Sequence, residues 1–276
     1  MYNSLITQNK RHFKHECGAA ADFICRQPEC LFSRYIYAAS GGRMEINMKK
    51  ALIPFICALL LTACALNRTA DIKITSSEYE TDISAAYAET VRFSGLKNRE
   101  FEKSMNSSIE KDINGALVSF DTLAASSSDK LRMGNRCVLN IKQYIKNNSN
   151  DFISIIEEHY VYTGGAHGSA AWYPRNIDTS AEKVILLPEL FCTDDYKNEL
   201  NRLIDIMLEK NKEKYSDLWE HPKVTSDENF YISDGNLVIF FPPYELSYYA
   251  KGFVEFPIRL DDIQGMLKEE YKRLIS

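Results

Sequence analysis

The chain has 276 residues, 45% of them hydrophobic, with 33 Lys and Arg against 38 Asp and Glu and a formal net charge of −5. That length and apolar content suffice for a buried core in one large or two small domains. The acidic balance argues against a nucleic-acid partner and against docking on anionic lipid through a basic face. Residues 1–63 hold 8 of the basic and 4 of the acidic side chains, so residues 64–276 carry 25 against 34, a net −9 that favours a basic protein partner.

From Met48, Lys49-Lys50 precede an apolar run ending in small residues before Cys64, which predicts an export signal over 48–63. The run contains Pro54 and is about 13 residues long, against the roughly 20 needed to span a bilayer. Leu61-Thr62-Ala63-Cys64 resembles the lipobox of bacterial lipoproteins. By that resemblance Cys64 is the first mature residue, acylated with palmitate-type chains, and the protein sits at the cell envelope, held to a membrane by its lipid. Residues 64–70 then read as a tether, and residues 1–47 as an extension from a start codon placed too far upstream. Cys17, Cys25 and Cys30 in that extension lack C-x2-C knuckles, so no metal is predicted there. Of the remaining cysteines only Cys137 and Cys192 lie beyond the lipid site; export allows one disulfide between them, with two buried thiols as the alternative.

Asp71–Glu80 and Thr81–Ser94 have the period of strands, the second with Ile83, Ala85, Tyr87, Glu89, Val91 and Phe93 on one side. From Asn98 the period lengthens, and Phe101, Met105, Ile109, Ile113, Leu117, Phe120 and Leu123 mark one amphipathic helix. Residues 124–129 are a small-residue break, which sets an N-terminal domain over 71–126 and a C-terminal one over 130–276. Strands follow at 136–146 and 151–163 around an Asn-rich turn, then a glycine-rich loop and an extended stretch to Thr179. A helix is predicted over Asp194 to about Tyr215. Asp234-Gly235 between apolar runs predicts a hairpin, residues 252–260 a last strand, and Asp261 the cap of a terminal helix through Leu274. Hairpins interrupted by helices, without regular βαβ alternation, predict an α+β fold of mainly antiparallel sheets in two parts.

Tyr162-Thr163-Gly164-Gly165-Ala166-His167-Gly168, and later Asp234 to Glu245, Tyr249 to Gly252 and Phe256-Pro257-Ile258, resemble the family of unknown function found in the extracytoplasmic part of the anti-sigma factor RsiV. Residues 71–126 are similar to the small domain that precedes it and that also occurs in the peptidoglycan deacetylase PdaC. The resemblance implies binding of a lysozyme-like protein or of peptidoglycan. It does not carry over deacetylation, because the Thr-Phe-Asp-Asp run and the histidine pair of the separate catalytic domain are absent from this sequence. No cofactor is implied.

Gly164, Gly165 and His167 admit two readings. Exposed backbone N–H groups beside an imidazole bind an oxyanion, with Glu157, Glu158 or Asp178 as base, giving a glycan hydrolase or deacetylase. Alternatively the glycines supply positive φ and His167 holds a tight bend; this is preferred, since one histidine without a spaced partner makes no catalytic or metal motif. Trp172, Tyr173, Tyr244 and Tyr248 are candidate sugar-stacking or protein-docking residues, against core packing as the alternative, which is the preferred reading of Phe240 and Phe241.

Overall fold

The computed structural model describes residues 69–127 and 135–275. The expectations for 1–68, among them the export signal and Cys64, lie outside the described residues. Residues 71–184 build a six-stranded sheet in chain order: β1 (Asp71–Glu80), β2 (Ser84–Ser94), β3 (Cys137–Ser149), β4 (Phe152–Tyr162), β5 (Ser169–Asp178) and β6 (Lys183–Val184). Neighbours are antiparallel except β2 and β3, which run parallel. A parallel pair needs a crossover, and α1 (Arg99–Ser127) supplies it.

Helix α1 begins where the Asn98 side-chain oxygen accepts the N–H groups of Glu100 and Phe101 at 2.9 and 3.2 Å, satisfying donors that a helix start leaves unpaired. Its inward row of Ile109, Ile113, Phe120 and Ala124 packs with Ala88, Phe93, Leu139, Ile141 and Ile153. Leu123, expected in that row, is 43% exposed because the row steps from Phe120 to Ala124. Buried Asn106 accepts the Phe93 N–H at 2.8 Å and donates to the Phe93 carbonyl at 2.9 Å, so the helix completes the strand's hydrogen bonding there.

The alternation expected in β2 changes phase. Ala86 and Ala88 are buried, then Val91 and Phe93. The change falls where β2 leaves β3 after the Ala88–Ile141 pair. Beyond it the Glu89 carboxylate accepts the Gln143 N–H at 2.8 Å, taking the place of a ladder bond.

The β3–β4 hairpin turns at Asn150 and Asp151, both at φ 55°, a geometry suited to the strands' right-handed twist. The break expected at 124–129 does not divide two packed bodies, since α1 runs to Ser127 and the same sheet continues with β3.

The second layer holds α2 (Tyr196–Lys210) and a three-stranded antiparallel sheet of β7 (Phe230–Ser233), β8 (Asn236–Phe241) and β9 (Val254–Arg259). Asp234 and Gly235, at φ 49° and 72°, make the β7–β8 turn as expected. The terminal helix expected over 261–274 is instead two short 3-10 turns, Leu260–Ile263 and Glu269–Leu274. Between them the chain runs against residues 190–192: Cys192 N–H donates to the Met266 carbonyl and Lys268 N–H to that of Leu190, each at 2.9 Å. Helix α2 likewise stops at Lys210, short of Tyr215.

Strand β4 serves both layers. Ile153 and Ile155 enter the core under α1, whereas Phe152 and Ile156 pack with the second sheet. Cys137 is buried in the first core, but Cys192 is exposed; both thiols are free, so the disulfide allowed by the sequence is not formed and only one of the two thiols is buried. The fold is therefore α+β with mainly antiparallel sheets. Among the described residues no helix is long and apolar enough to cross a membrane.

Candidate functional site

Past Ile156, β4 emerges from its two cores and presents polar side chains to either side. On the face shared with α1, Glu157 receives His159 Nε2 at 2.7 Å and the Gln143 side-chain amide at 2.9 Å. Burial would push the Glu157 carboxyl up, but the hydrogen bonds from His159 and Gln143, with the charges of His159 and Arg175, outweigh it and hold the group below the usual range. Tyr173 meets His159 edge-on at 4.8 Å, and Arg175 pairs with Asp112 of α1 at 2.8 Å.

On the opposite face Glu158 lies across the ladder from Trp172. Its carboxylate accepts the indole N–H at 2.7 Å and the Tyr144 hydroxyl at 3.4 Å. Trp172 stacks on Phe253 at 4.0 Å and 9°, and meets the Phe240 ring at 5.4 Å. Trp172 is thus mainly a wall between the layers. Phe240 and Phe241 are core residues, as preferred from the sequence.

The glycine loop closes the same face. Gly164 and Gly165 stand at φ 102° and 99°, conformations that side-chain-bearing residues rarely adopt. At Gly168 the reason is space, because a Cβ there would come within 2.5 Å of the Tyr160 ring. His167 places Nδ1 2.8 Å from the Gly168 carbonyl, so Nδ1 carries the donated hydrogen. Its Nε2 lies 3.4 Å from the Tyr244 hydroxyl, and its ring stacks on Tyr249 at 4.4 Å and 14°. Tyr244, 57% exposed, sits 5.6 Å from Tyr249 and holds a left-handed backbone at φ 73°. Such a conformation costs a non-glycine residue about 1–2 kcal/mol. Hydrogen bonds from Tyr244 N–H to Ser247 and from Glu245 N–H to Pro242 impose it. Burial, followed by the neighbouring Tyr160, Tyr244 and Glu158, keeps the Tyr249 phenol above its ordinary range and so a neutral donor.

The structure therefore joins Gly164, Gly165, His167, Trp172 and Tyr244 on one face and separates two other candidates. Tyr173 points to the far side of the sheet, as alternation from Trp172 requires. Tyr248 bonds Asp217, which also takes Lys251 at 2.8 Å. Tyr160 is a member that sequence reasoning missed, although its two-residue spacing from Glu158 was a usable signal.

The carboxylates expected to assist His167 are engaged elsewhere. Glu157 holds His159, Glu158 holds Trp172, and Asp178 faces Arg273 at 2.8 Å while accepting the N–H groups of Ser180 and Ala181. Among the described residues no cluster of three or more His, Cys, Asp and Glu is placed to hold a metal.

Residues 75–170 match the family described as "Deacetylase PdaC", and residues 188–261 the family described as "Protein of unknown function (DUF3298)". The expected order of the two parts holds, but the glycine loop and His167 fall in the first match rather than the second. Peptidoglycan-N-acetylmuramic acid deacetylase PdaC of Bacillus subtilis is 25% identical over 187 residues, which make up 66% of this chain and 39% of that protein. The chain thus spans about two fifths of that relative's length. Two solved structures of DUF3298 family members are similar at 16% identity. The one from Bacteroides fragilis has a TM-score of 0.58 over 75% of this chain and 97% of its own, and the one from Pseudomonas aeruginosa 0.54 over 76% and 98%. These two likenesses bear on the fold alone.

Proposed function

We propose that this chain is a lipid-anchored binding module of the bacterial cell envelope that takes a peptidoglycan-type glycan on the face formed by β3–β5, the glycine loop and the 242–249 turn. The observation that carries this is the exposed Tyr244 ring, fixed by a left-handed backbone beside the His167–Tyr249 stack. Backbone strain of this kind persists where the surroundings impose it and concentrates at functional sites. Phenol rings offer flat apolar area for a sugar face and hydroxyl groups for its rim. The relative's name, a deacetylase acting on peptidoglycan, supports the same ligand class. Catalysis at His167 is not favoured, because both its ring nitrogens face neutral groups.

Calorimetric titration with muropeptides is expected to give saturable binding that Tyr244→Ala weakens about tenfold or more. Saturable, salt-sensitive binding of lysozyme with no heat from the glycan would replace this reading with a protein-docking one, which the net charge of −9 over residues 64–276 favours. Heat from neither would leave a structural lipoprotein. Anchoring through Cys64 predicts palmitate incorporation in cells that Cys64→Ser abolishes; label retained by the variant would remove the anchor.

A further inference from the structure

Strands β3 and β4 fall out of register by one residue: Ile145 faces Ile155, Asn147 faces Ser154, and Lys146 is the extra residue of a bulge. A bulge redirects the side chain it carries. Here the Lys146 ammonium is aimed at the aromatic face, 4.8 Å over the Tyr231 ring, 5.5 Å over Trp172 and 5.8 Å over Tyr144. These contacts hold the cation electrostatically but satisfy none of its donors. Among the described residues Lys146 has no hydrogen-bond or ion-pair partner, and the rings beneath it donate to carboxylates of their own: Trp172 and Tyr144 to Glu158, and Tyr231 to Glu255 at 2.7 Å. The Trp172 ring it overlies donates to Glu158, whose charge acts on Tyr249, the ring that stacks on His167.

We propose that Lys146 is the anion-reading group of this face and that the glycan it selects carries a carboxylate on or beside a hexose ring. The inference rests on the glycan reading above and adds the charge of the ligand to it. A half-buried ammonium with three free donors, fixed among rings, gives a carboxylate a charge-assisted contact that a neutral oligosaccharide cannot match.

Three saccharides test it: N-acetylglucosaminyl-N-acetylmuramic acid, whose lactyl group bears a free carboxylate; a hyaluronan tetrasaccharide, which carries hexuronates; and neutral chitotetraose. The acidic probes are expected to bind about tenfold or more tighter than chitotetraose, with the tighter of the two identifying the source of the carboxylate. Lys146→Gln is expected to erase the difference between acidic and neutral probes, and Lys146→Arg to retain it. Equal affinity for acidic and neutral probes, or a preference that survives Lys146→Gln, overturns the role of Lys146 and leaves the glycan reading standing. Binding of none of the three overturns both.

Discussion

Replacing Asn176 with Ala is expected to lower the unfolding free energy by about 2–6 kcal/mol, the sum of two buried polar groups losing their partner at about 1–3 kcal/mol each. Asn176 is 3% exposed, and its side-chain amide donates to the Phe230 carbonyl at 2.8 Å. Its side-chain oxygen accepts the hydroxyl of fully buried Ser154, whose own oxygen receives the Ile232 N–H at 2.9 Å. These three bonds fasten β7 to the middle of the six-stranded sheet. The substitution strands the Phe230 carbonyl and the Ser154 hydroxyl together, in a layer where Ile156, Tyr231 and Phe240 exclude water. Urea unfolding measures the loss; a change below about 1 kcal/mol, the net worth of one ordinary hydrogen bond, would mean that packing alone joins the layers.

This junction was not legible in the sequence. Ser154 and Asn176 are ordinary polar residues in strand-like runs, and only the meeting of β4, β5 and β7 makes them partners. What could be read was local: the period of α1 from Phe101 to Phe120 and the Asp234-Gly235 turn. The misreadings arose where tertiary pairing overrode local pattern. The terminal helix gave way because residues 266–268 hydrogen-bond residues 190–192, and β2 changes its buried side where its pairing with β3 ends. At the candidate site, the glycines and His167 announced the loop. Lys146 could not be found in advance, because a bulge is a property of two strands in register, and no residue of β3 alone marks it.

The aromatic residues of the face divide into scaffold and contact surface, and substitution should separate them. Trp172→Ala is expected to destabilise the protein by about 3–5 kcal/mol, the range for emptying a large aromatic site in a packed layer. The loss includes stacking on Phe253, the edge contact with Phe240 and the indole hydrogen bond that occupies Glu158. Lys146 would lose one of its three rings as well. Tyr244→Ala removes a ring that is 57% exposed and should change stability by about 0.5 kcal/mol or less, while carrying the larger effect on ligand binding. Thermal unfolding and ligand titration of the two variants side by side provide the measurement. Were Tyr244→Ala as destabilising as Trp172→Ala, the strained turn would be part of the core and the case for a binding surface would fall. With Trp172 costly to stability and Tyr244 costly only to binding, the strain at Tyr244 acts to present its ring, which is the arrangement a preformed site requires.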